Sequence, residues 1–220
     1  MTTPAPRRWP IVPTLFVAVA IATMIALGVW QVERAGEKER LLALFERNAA
    51  MTSTTTMPTM GPIPPEAMFR RSSAVCLEVT NWREIGGRTA DGVTGYRFLA
   101  DCKTGAEGPG FVADMGLAED PQYRPVWTCG EVEGIITEEP VEGGLWASLT
   151  GTRIVPRAML VATNPPPGLL ASAAPDPSGV PNNHIAYAVQ WFLFALAAGV
   201  IYWLALRQRW KKAESEIPSA

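Results

Sequence analysis

Two long stretches of the chain contain no ordinary charge, and they constrain the fold more than any other feature. Positions 9–32 hold no Asp, Glu, Lys or Arg in 24 residues, and positions 182–206 hold none in 25. Because a helix rises about 1.5 Å per residue, about 20 apolar residues cross a bilayer core. The sequence therefore predicts transmembrane helices at 11–32 and 182–206. The alternative for the first stretch is a cleaved signal peptide, but the apolar part of such a peptide spans roughly 7–15 residues, so an uncleaved anchor is favoured.

The charges beside these stretches predict which way the chain faces. Arg7 and Arg8 precede the first stretch, and four basic residues follow the second. Because basic flanks stay on the cytoplasmic side, residues 1–10 and the basic tail 207–220 are predicted to be cytoplasmic. The segment between the stretches carries 13 basic and 19 acidic residues, so it is predicted to lie in the periplasm of a bacterial inner membrane. Membrane lipid is then an expected partner, and the acidic balance argues against nucleic acid.

The segment between the two stretches divides by composition into three parts. Residues 33–65 predict a helical extension of good helix formers, followed by a Thr/Met/Pro-rich linker. Residues 66–163 contain short β-type runs separated by turn residues, and residues 164–181 form a Pro-rich connector. The candidate strands are Ser73–Thr80, Gly95–Cys102, Gly110–Met115, Val126–Thr137, Leu145–Leu149 and Ala158–Thr163. Their spacing favours a small, mainly antiparallel barrel or sandwich, so the predicted fold is a membrane α+β fold.

All three cysteines fall in the segment that is predicted to be exported. An oxidising compartment permits one disulfide and leaves one thiol over. Cys76 and Cys102 lie on successive predicted strands, which favours them as the pair over Cys129. The alternative is that all three are buried small hydrophobic residues, because spacings of 26 and 27 residues match no zinc pattern.

The usual signals of catalysis are missing, so the chain is predicted not to be an enzyme. It has one histidine and no phosphate loop, dinucleotide fingerprint or Cys-x-x-Cys motif. A Ser-His-Asp site would have to use His184, at the edge of a membrane. Met57 and Met60 offer two thioethers that favour Cu(I), which makes copper delivery an alternative function.

The single histidine stands where the second apolar stretch begins. Tyr187 and Trp191 follow His184 at i+3 and i+7, so the three rings share one helical face. An imidazole beside an aromatic-walled apolar groove is suited to be an axial ligand of haem iron. The alternative is an interfacial histidine whose amphipathic ring lies at the depth of the lipid headgroups.

A polar cluster stands where the first stretch ends. Trp30, Gln31, Arg34 and Lys38 lie there, and Trp30, Arg34 and Lys38 repeat at i+4. The two cations at this depth are suited to pair with the propionates of a haem. The alternative is that they bind lipid phosphates.

These two clusters resemble motifs of the Surfeit-locus-one family. Gly28-Val29-Trp30-Gln31, with Arg34 and Lys38, is similar to the family's Gly-x-Trp-Gln-x-x-Arg-x-x-x-Lys. The run Asn-Asn-His-Ile-Ala-Tyr-Ala-Val-Gln-Trp-Phe at 182–192 is similar to its Asn-His-x-x-Tyr-Ala-x-x-Trp-Phe. The layout of two spans around a β-rich external domain covers most of the chain and resembles the bacterial type of the family.

The resemblance implies an assembly factor for cytochrome c oxidase that binds haem a and aids its insertion into subunit I. It implies oxidase subunit I and haem a synthase as partners and His184 as the metal ligand. The residues expected around the cofactor are His184, Tyr187, Trp191, Trp30, Gln31, Arg34 and Lys38. A cofactor-free scaffold that holds oxidase subunits is the alternative. The chain departs from the family at 114–117, where relatives usually show Arg-Gly-Trp and Asp-Met-Gly-Leu stands here.

Overall fold

The computed structural model describes residues 9–105, 110–140 and 155–215, which fall into two compact units. A helical unit comprises the described residues up to Arg40 and from Pro181 onward, and a sheet unit comprises those between Leu41 and Val180. The predicted strand Leu145–Leu149 and the Arg7-Arg8 pair lie outside the described residues.

Two long helices dominate the helical unit, and residues 41–50 at the end of the first belong to the sheet unit. Helix α1 spans Ile11–Ala50 and helix α2 spans His184–Ser215, and both are long and apolar enough to cross a membrane. Helix α1 continues far beyond its apolar part because the sequence after Val32 is rich in Glu, Arg, Leu and Ala, which favour helix. Helix α2 begins where the backbone N–H of Tyr187 donates to the carbonyl of Asn183, at 3.2 Å.

The two helices pack side by side in opposite directions. Near the start of α1, the ring of Trp9 meets that of Trp210 edge-on at 5.5 Å, and the hydroxyls of Thr14 and Tyr202 are hydrogen-bonded. Farther along α1, Gly28 meets Phe192 near the start of α2. Because the contacts run in opposite order along the two helices, the pair is antiparallel. The beginning of α1 and the end of α2 therefore lie together.

The sheet unit contains one mixed sheet of seven strands. They are β1 Thr55–Thr56, β2 Arg71–Cys76, β3 Glu78–Arg88, β4 Thr94–Lys103, β5 Phe111–Ala118, β6 Gly130–Glu138 and β7 Ala158–Ala162. Their order is β1-β2-β6-β7-β5-β4-β3, with parallel pairing at β1–β2 and β5–β7 and antiparallel pairing elsewhere. Within the described residues the sheet is not closed into a barrel and no second sheet packs on it, so the prediction of a small barrel or sandwich is wrong, whereas the predicted mainly antiparallel pairing is confirmed. The sequence pattern of short strands does not indicate that β7 pairs with β5 or that the two strands are parallel.

A tight corner connects two distant parts of this sheet. Only Leu77 separates β2 from β3, although β3 is the last strand in the order and β2 the second. The sheet must therefore curl until these parts meet. The disulfide Cys76–Cys102 joins β2 to β4 at this corner, with 5.1 Å between the Cα atoms, which confirms the predicted pair. Closing a loop of this length contributes about 3 kcal/mol in the chain-entropy account.

Strand β3 extends beyond the strand that the sequence predicts. The predicted strand Ser73–Thr80 crosses the corner, and the predicted turn at Gly86-Gly87 lies inside β3. A Cβ atom at Gly87 would lie 2.1 Å from Cδ of Arg97, so glycine is needed where the arginine crosses the strand. The Gly86-Gly87 pair therefore marks a close approach of Arg97 to strand β3 and not a turn.

The central strands of the sheet are buried on both faces, as is usual for parallel neighbours. Every residue of β5 and β7 is buried. Residues of the predicted connector 164–181 pack against them: Leu169 is buried, and Leu170 exchanges backbone hydrogen bonds with Leu117 at 2.7 and 2.8 Å. A short 3-10 helix, Pro177–Gly179, follows.

Candidate functional site

The structure joins the two sequence motifs through one hydrogen bond between the helices. Nδ1 of His184, the first residue of α2, lies 2.7 Å from Oε1 of Gln31 on α1. An amide oxygen only accepts, so Nδ1 carries the hydrogen, and in the neutral imidazole Nε2 is then the nitrogen with the lone pair. Within the described part of the chain, Nε2 makes no hydrogen bond. The half-buried ring thus has one nitrogen fixed and one nitrogen free to bind a metal.

Small residues set the spacing of the helices at this contact. A Cβ atom at Gly28 would lie 2.6 Å from Cε1 of Phe192, closer than side chains tolerate. Ala35 on α1 and Ala188 on α2 are both buried. Small residues let helix backbones approach closely. The glycine and the phenylalanine of the two motifs therefore hold the helices at the distance from which Gln31 reaches the imidazole.

The predicted aromatic residues are neighbours of the hydrogen-bonded pair along the helices, because Trp30 precedes Gln31 and Tyr187 and Trp191 follow His184 by three and seven positions. The side chains of Trp30 and Tyr187 are about half exposed, at 51% and 52%. Trp191 packs edge-on against Phe194, with 6.2 Å between the ring centroids. These rings provide apolar surface on the outside of the helix pair, on which a planar ligand can lie.

The two predicted cations differ in their surroundings. Nη1 of Arg34 forms an ion pair with Oε2 of Glu37 at 2.6 Å, so its charge is already compensated on its own helix. Lys38 is half-buried and forms no ion pair with any described residue. It follows Gln31 by seven residues, which places it on the same helical stripe, about 10 Å further along the axis. Lys38 is thus better suited than Arg34 to pair with an anionic group.

A buried acceptor and an apolar groove complete the surroundings of the helix pair. Oδ1 of Asn182, two residues before His184, is buried and lacks a hydrogen-bond partner among the described residues.

A groove of about 510 Å³ lies on one side of the helix pair. Its lining comes from both helices and is almost wholly apolar: Ile21, Ile25, Phe192, Ala195, Leu196, Gly199, Val200 and Trp203.

The side chains present fit a haem better than a bare metal ion. Among the described residues, no three His, Cys, Asp or Glu side chains group closely enough to hold a metal ion. A haem iron requires only an axial protein ligand, which Nε2 of His184 can provide. The thioethers proposed for copper are not available together, because Met57 is buried in the core of the sheet unit and Met60 is exposed.

A second polar cluster lies inside the sheet unit, where the sequence departs from the family pattern. Asp114 is fully buried, and its Oδ2 accepts from Nε of Arg97 at 2.9 Å and from the Nη2 of the same guanidinium. Its Oδ1 accepts from Oγ of Ser172 at 2.9 Å and from the N–H of Gly116 at 3.1 Å. The sequence pattern did not predict this cluster, although an aspartate in an apolar strand was its signal. Since both carboxylate oxygens are occupied, the cluster is structural.

The class of protein that this arrangement suggests is a membrane protein, because two helices are long and apolar enough to span a bilayer and a sheet unit lies between them in the chain. The family model described as SURF1 family matches residues 18–196, and the chain belongs to this family. The match includes both motifs of the helix pair. The SURF1 family is linked to cytochrome c oxidase assembly. A comparison with curated proteins found no match.

Proposed function

We propose that the chain is an assembly factor for cytochrome c oxidase that binds haem a at the periplasmic surface of the inner membrane and aids its insertion into subunit I. The observation that supports this most directly is the 2.7 Å contact between Gln31 and His184. It leaves Nε2 of the only histidine free, at the point where two family motifs meet. Oxidase subunit I and haem a synthase are the proposed partners.

Different residues of the helix pair would hold different parts of the cofactor. When bound, haem a would supply an iron centre that takes an imidazole ligand. His184 would provide that ligand through Nε2, and Lys38 would pair with a propionate because its charge has no other partner among the described residues. Tyr187 and Trp191 offer apolar ring surface beside the imidazole. The chain acts by holding and presenting a cofactor and not by catalysis.

The proposed orientation follows from charge and from the antiparallel packing of the helices. Because α1 begins where α2 ends, the basic residues that flank these ends belong to one side of the membrane. We infer that this side is the cytoplasm of a bacterium and that the sheet unit is in the periplasm. His184 and Gln31 then lie at the periplasmic surface of the inner membrane.

The test is the absorption spectrum of the full-length protein purified in detergent from cells with active haem a synthesis. The wild type is expected to carry a haem a spectrum, and His184→Ala is expected to lose it. Gln190→Ala is the matched control, because Gln190 is exposed on the same helix. A colourless wild type contradicts haem binding, and a spectrum that is unchanged in His184→Ala contradicts the ligand.

A cofactor-free scaffold is the second candidate, and exposed apolar side chains of the sheet unit favour it. Val75 and Leu77 are more than half exposed beside the β2–β3 corner. Val126 is 87% exposed, two residues before Thr128, whose carbonyl accepts from the N–H of Val79 at 3.0 Å near the same corner. A scaffold predicts that changes at these apolar positions abolish oxidase assembly while His184→Ala does not.

A further inference from the structure

We propose that Gln31 is a positioning residue that fixes the tautomer and the direction of the His184 ring, so that Nε2 is presented to the iron. This inference rests on the proposed haem binding and assigns to Gln31 a role on the histidine in place of a contact with the cofactor. It predicts that the glutamine affects the cofactor only through the imidazole.

The hydrogen bond is the restraint on the ring that the structure shows. Oε1 of Gln31 and Nδ1 of His184 are 2.7 Å apart, a short distance for a bond to a nitrogen donor. Metal-binding histidines nearly always donate their second ring nitrogen to an oxygen, which fixes the ring and raises the basicity of the ligating nitrogen. The Gln31–His184 pair has this arrangement before any metal is bound.

The position of His184 in its helix explains why an outside restraint is needed. It is the first residue of α2, so no preceding helical turn packs against its side chain. In the interior of a helix, that turn limits the rotamers a side chain can adopt. A histidine at a helix start lacks this limit, and the acceptor from α1 takes its place.

Helix packing one turn before Gln31 on α1 keeps the amide oxygen of Gln31 within hydrogen-bonding distance of His184. Gly28 is three residues before Gln31, and its contact with Phe192 allows close approach of the two backbones. The hydrogen bond therefore links the state of the ligand to the pairing of the helices. Separation of α1 from α2 would remove the acceptor and release the ring.

The experiment is a titration of the full-length protein in detergent with haem a, followed by redox titration of the bound haem. Gln31→Leu removes the acceptor and is expected to weaken haem binding by about 10- to 100-fold. Gln31→Glu keeps an acceptor and strengthens it with a charge. It is therefore expected to retain haem and to lower the reduction potential relative to wild type. Gln190→Leu, on the exposed face of α2, is the control and is expected to match wild type.

The outcomes separate this inference from the proposed function. If wild type binds haem through His184 but Gln31→Leu matches it in affinity and potential, the positioning role is wrong and the ligand assignment stands. If Gln31→Leu does not fold, an unchanged potential in Gln31→Glu overturns the inference by itself. Loss of haem in Gln31→Glu, with the protein still folded, also overturns it, because the role requires only an acceptor. If wild type binds no haem, the proposed function and this inference both fail.

Discussion

The two polar clusters of this protein differ in whether their hydrogen-bonding capacity is filled. In the sheet unit, the carboxylate of Asp114 accepts from Arg97, Ser172 and the backbone of Gly116, and no part of its side chain is exposed. In the helical unit, His184 makes one hydrogen bond to Gln31, and Nε2 remains without a partner among the described residues. Both clusters bring together residues that are far apart in the sequence.

The difference teaches how to separate a structural polar group from a binding one. A buried charge is costly unless hydrogen bonds satisfy it, so a filled cluster such as that of Asp114 stabilises its surroundings and offers nothing to a ligand. A ring that is held by one nitrogen and open at the other is arranged for a further bond. The two regions should therefore respond to substitution in opposite ways.

The largest expected effect is that of Asp114→Ala, which tests the structural cluster. It leaves the guanidinium of Arg97 without its buried partner, and breaking such a pair costs about 3–5 kcal/mol. The measurement is denaturant unfolding of the full-length protein in detergent. Asp91→Ala is the control at an exposed aspartate, with an expected change below about 0.5 kcal/mol.

A double variant sharpens this test. Replacing a buried ion pair by apolar residues of similar size is often neutral, so Arg97→Met with Asp114→Leu should recover much of the lost stability. If the Asp114 carboxylate bound a ligand, the double variant would lose function while it regained stability. Equal destabilisation by Asp114→Ala and Asp91→Ala would remove the distinction between the two clusters.

The sequence predicted the two clusters to different degrees, for a physical reason. The charge-free runs located both helices, and the family motifs placed His184 and Gln31 at their ends. Their contact could not be derived, because it joins residues 153 positions apart and depends on antiparallel packing. In the sheet unit, apolar runs located β5 and β7, but periodicity carries no information on which strands are neighbours. The pairing of Val112 with Met159 and the burial of Asp114 therefore emerged only from the fold.

The second largest expected effect is the loss of stability when the disulfide at the β2–β3 corner of the sheet unit is removed. Removal of the Cys76–Cys102 bond by Cys76→Ala and Cys102→Ala is expected to cost about 3 kcal/mol, because the unfolded chain regains the entropy of an open loop. Unfolding of the full-length protein under oxidising conditions measures it. Cys129→Ala is the control, because Cys129 is free and exposed. Haem binding by the helical unit is expected to persist at temperatures where the variant is folded. Loss of haem in the folded variant would contradict the division between the two regions.

A smaller effect is expected for Gly28→Ala, which disturbs the helical unit alone. The added methyl would lie 2.6 Å from Cε1 of Phe192, and overpacking of this kind costs about 1–3 kcal/mol. The variant should also weaken haem binding, since Gln31 moves away from His184 as the helices separate. Gly36→Ala is a matched control in the same helix, because a Cβ atom there meets nothing within 4 Å. It should be neutral or stabilise the helix by up to about 1 kcal/mol. Equal results for the two glycines would contradict the role of close helix packing.

The smallest expected effect is a pH dependence confined to the sheet unit, through Glu139, the residue that follows β6. Partial burial alone would raise the pKa of this carboxyl, but hydrogen bonds from Arg157 and Arg83 outweigh it and hold the pKa below its ordinary value of 4.5. Asp101 accepts from the same two guanidiniums, so the four charges join β3 and β4 to the ends of β6 and β7. A depressed folded-state pKa adds stability above about pH 4.5, and that stability is lost as the pH falls through the folded value.

Glu139→Gln should therefore be less stable than wild type by at most about 1 kcal/mol at neutral pH, and the difference should shrink below about pH 4.5. Unfolding of the full-length protein between pH 3 and pH 7 measures this, with exposed Glu138→Gln as the control. A difference that is independent of pH would show that the charge of Glu139 is not what stabilises the folded sheet.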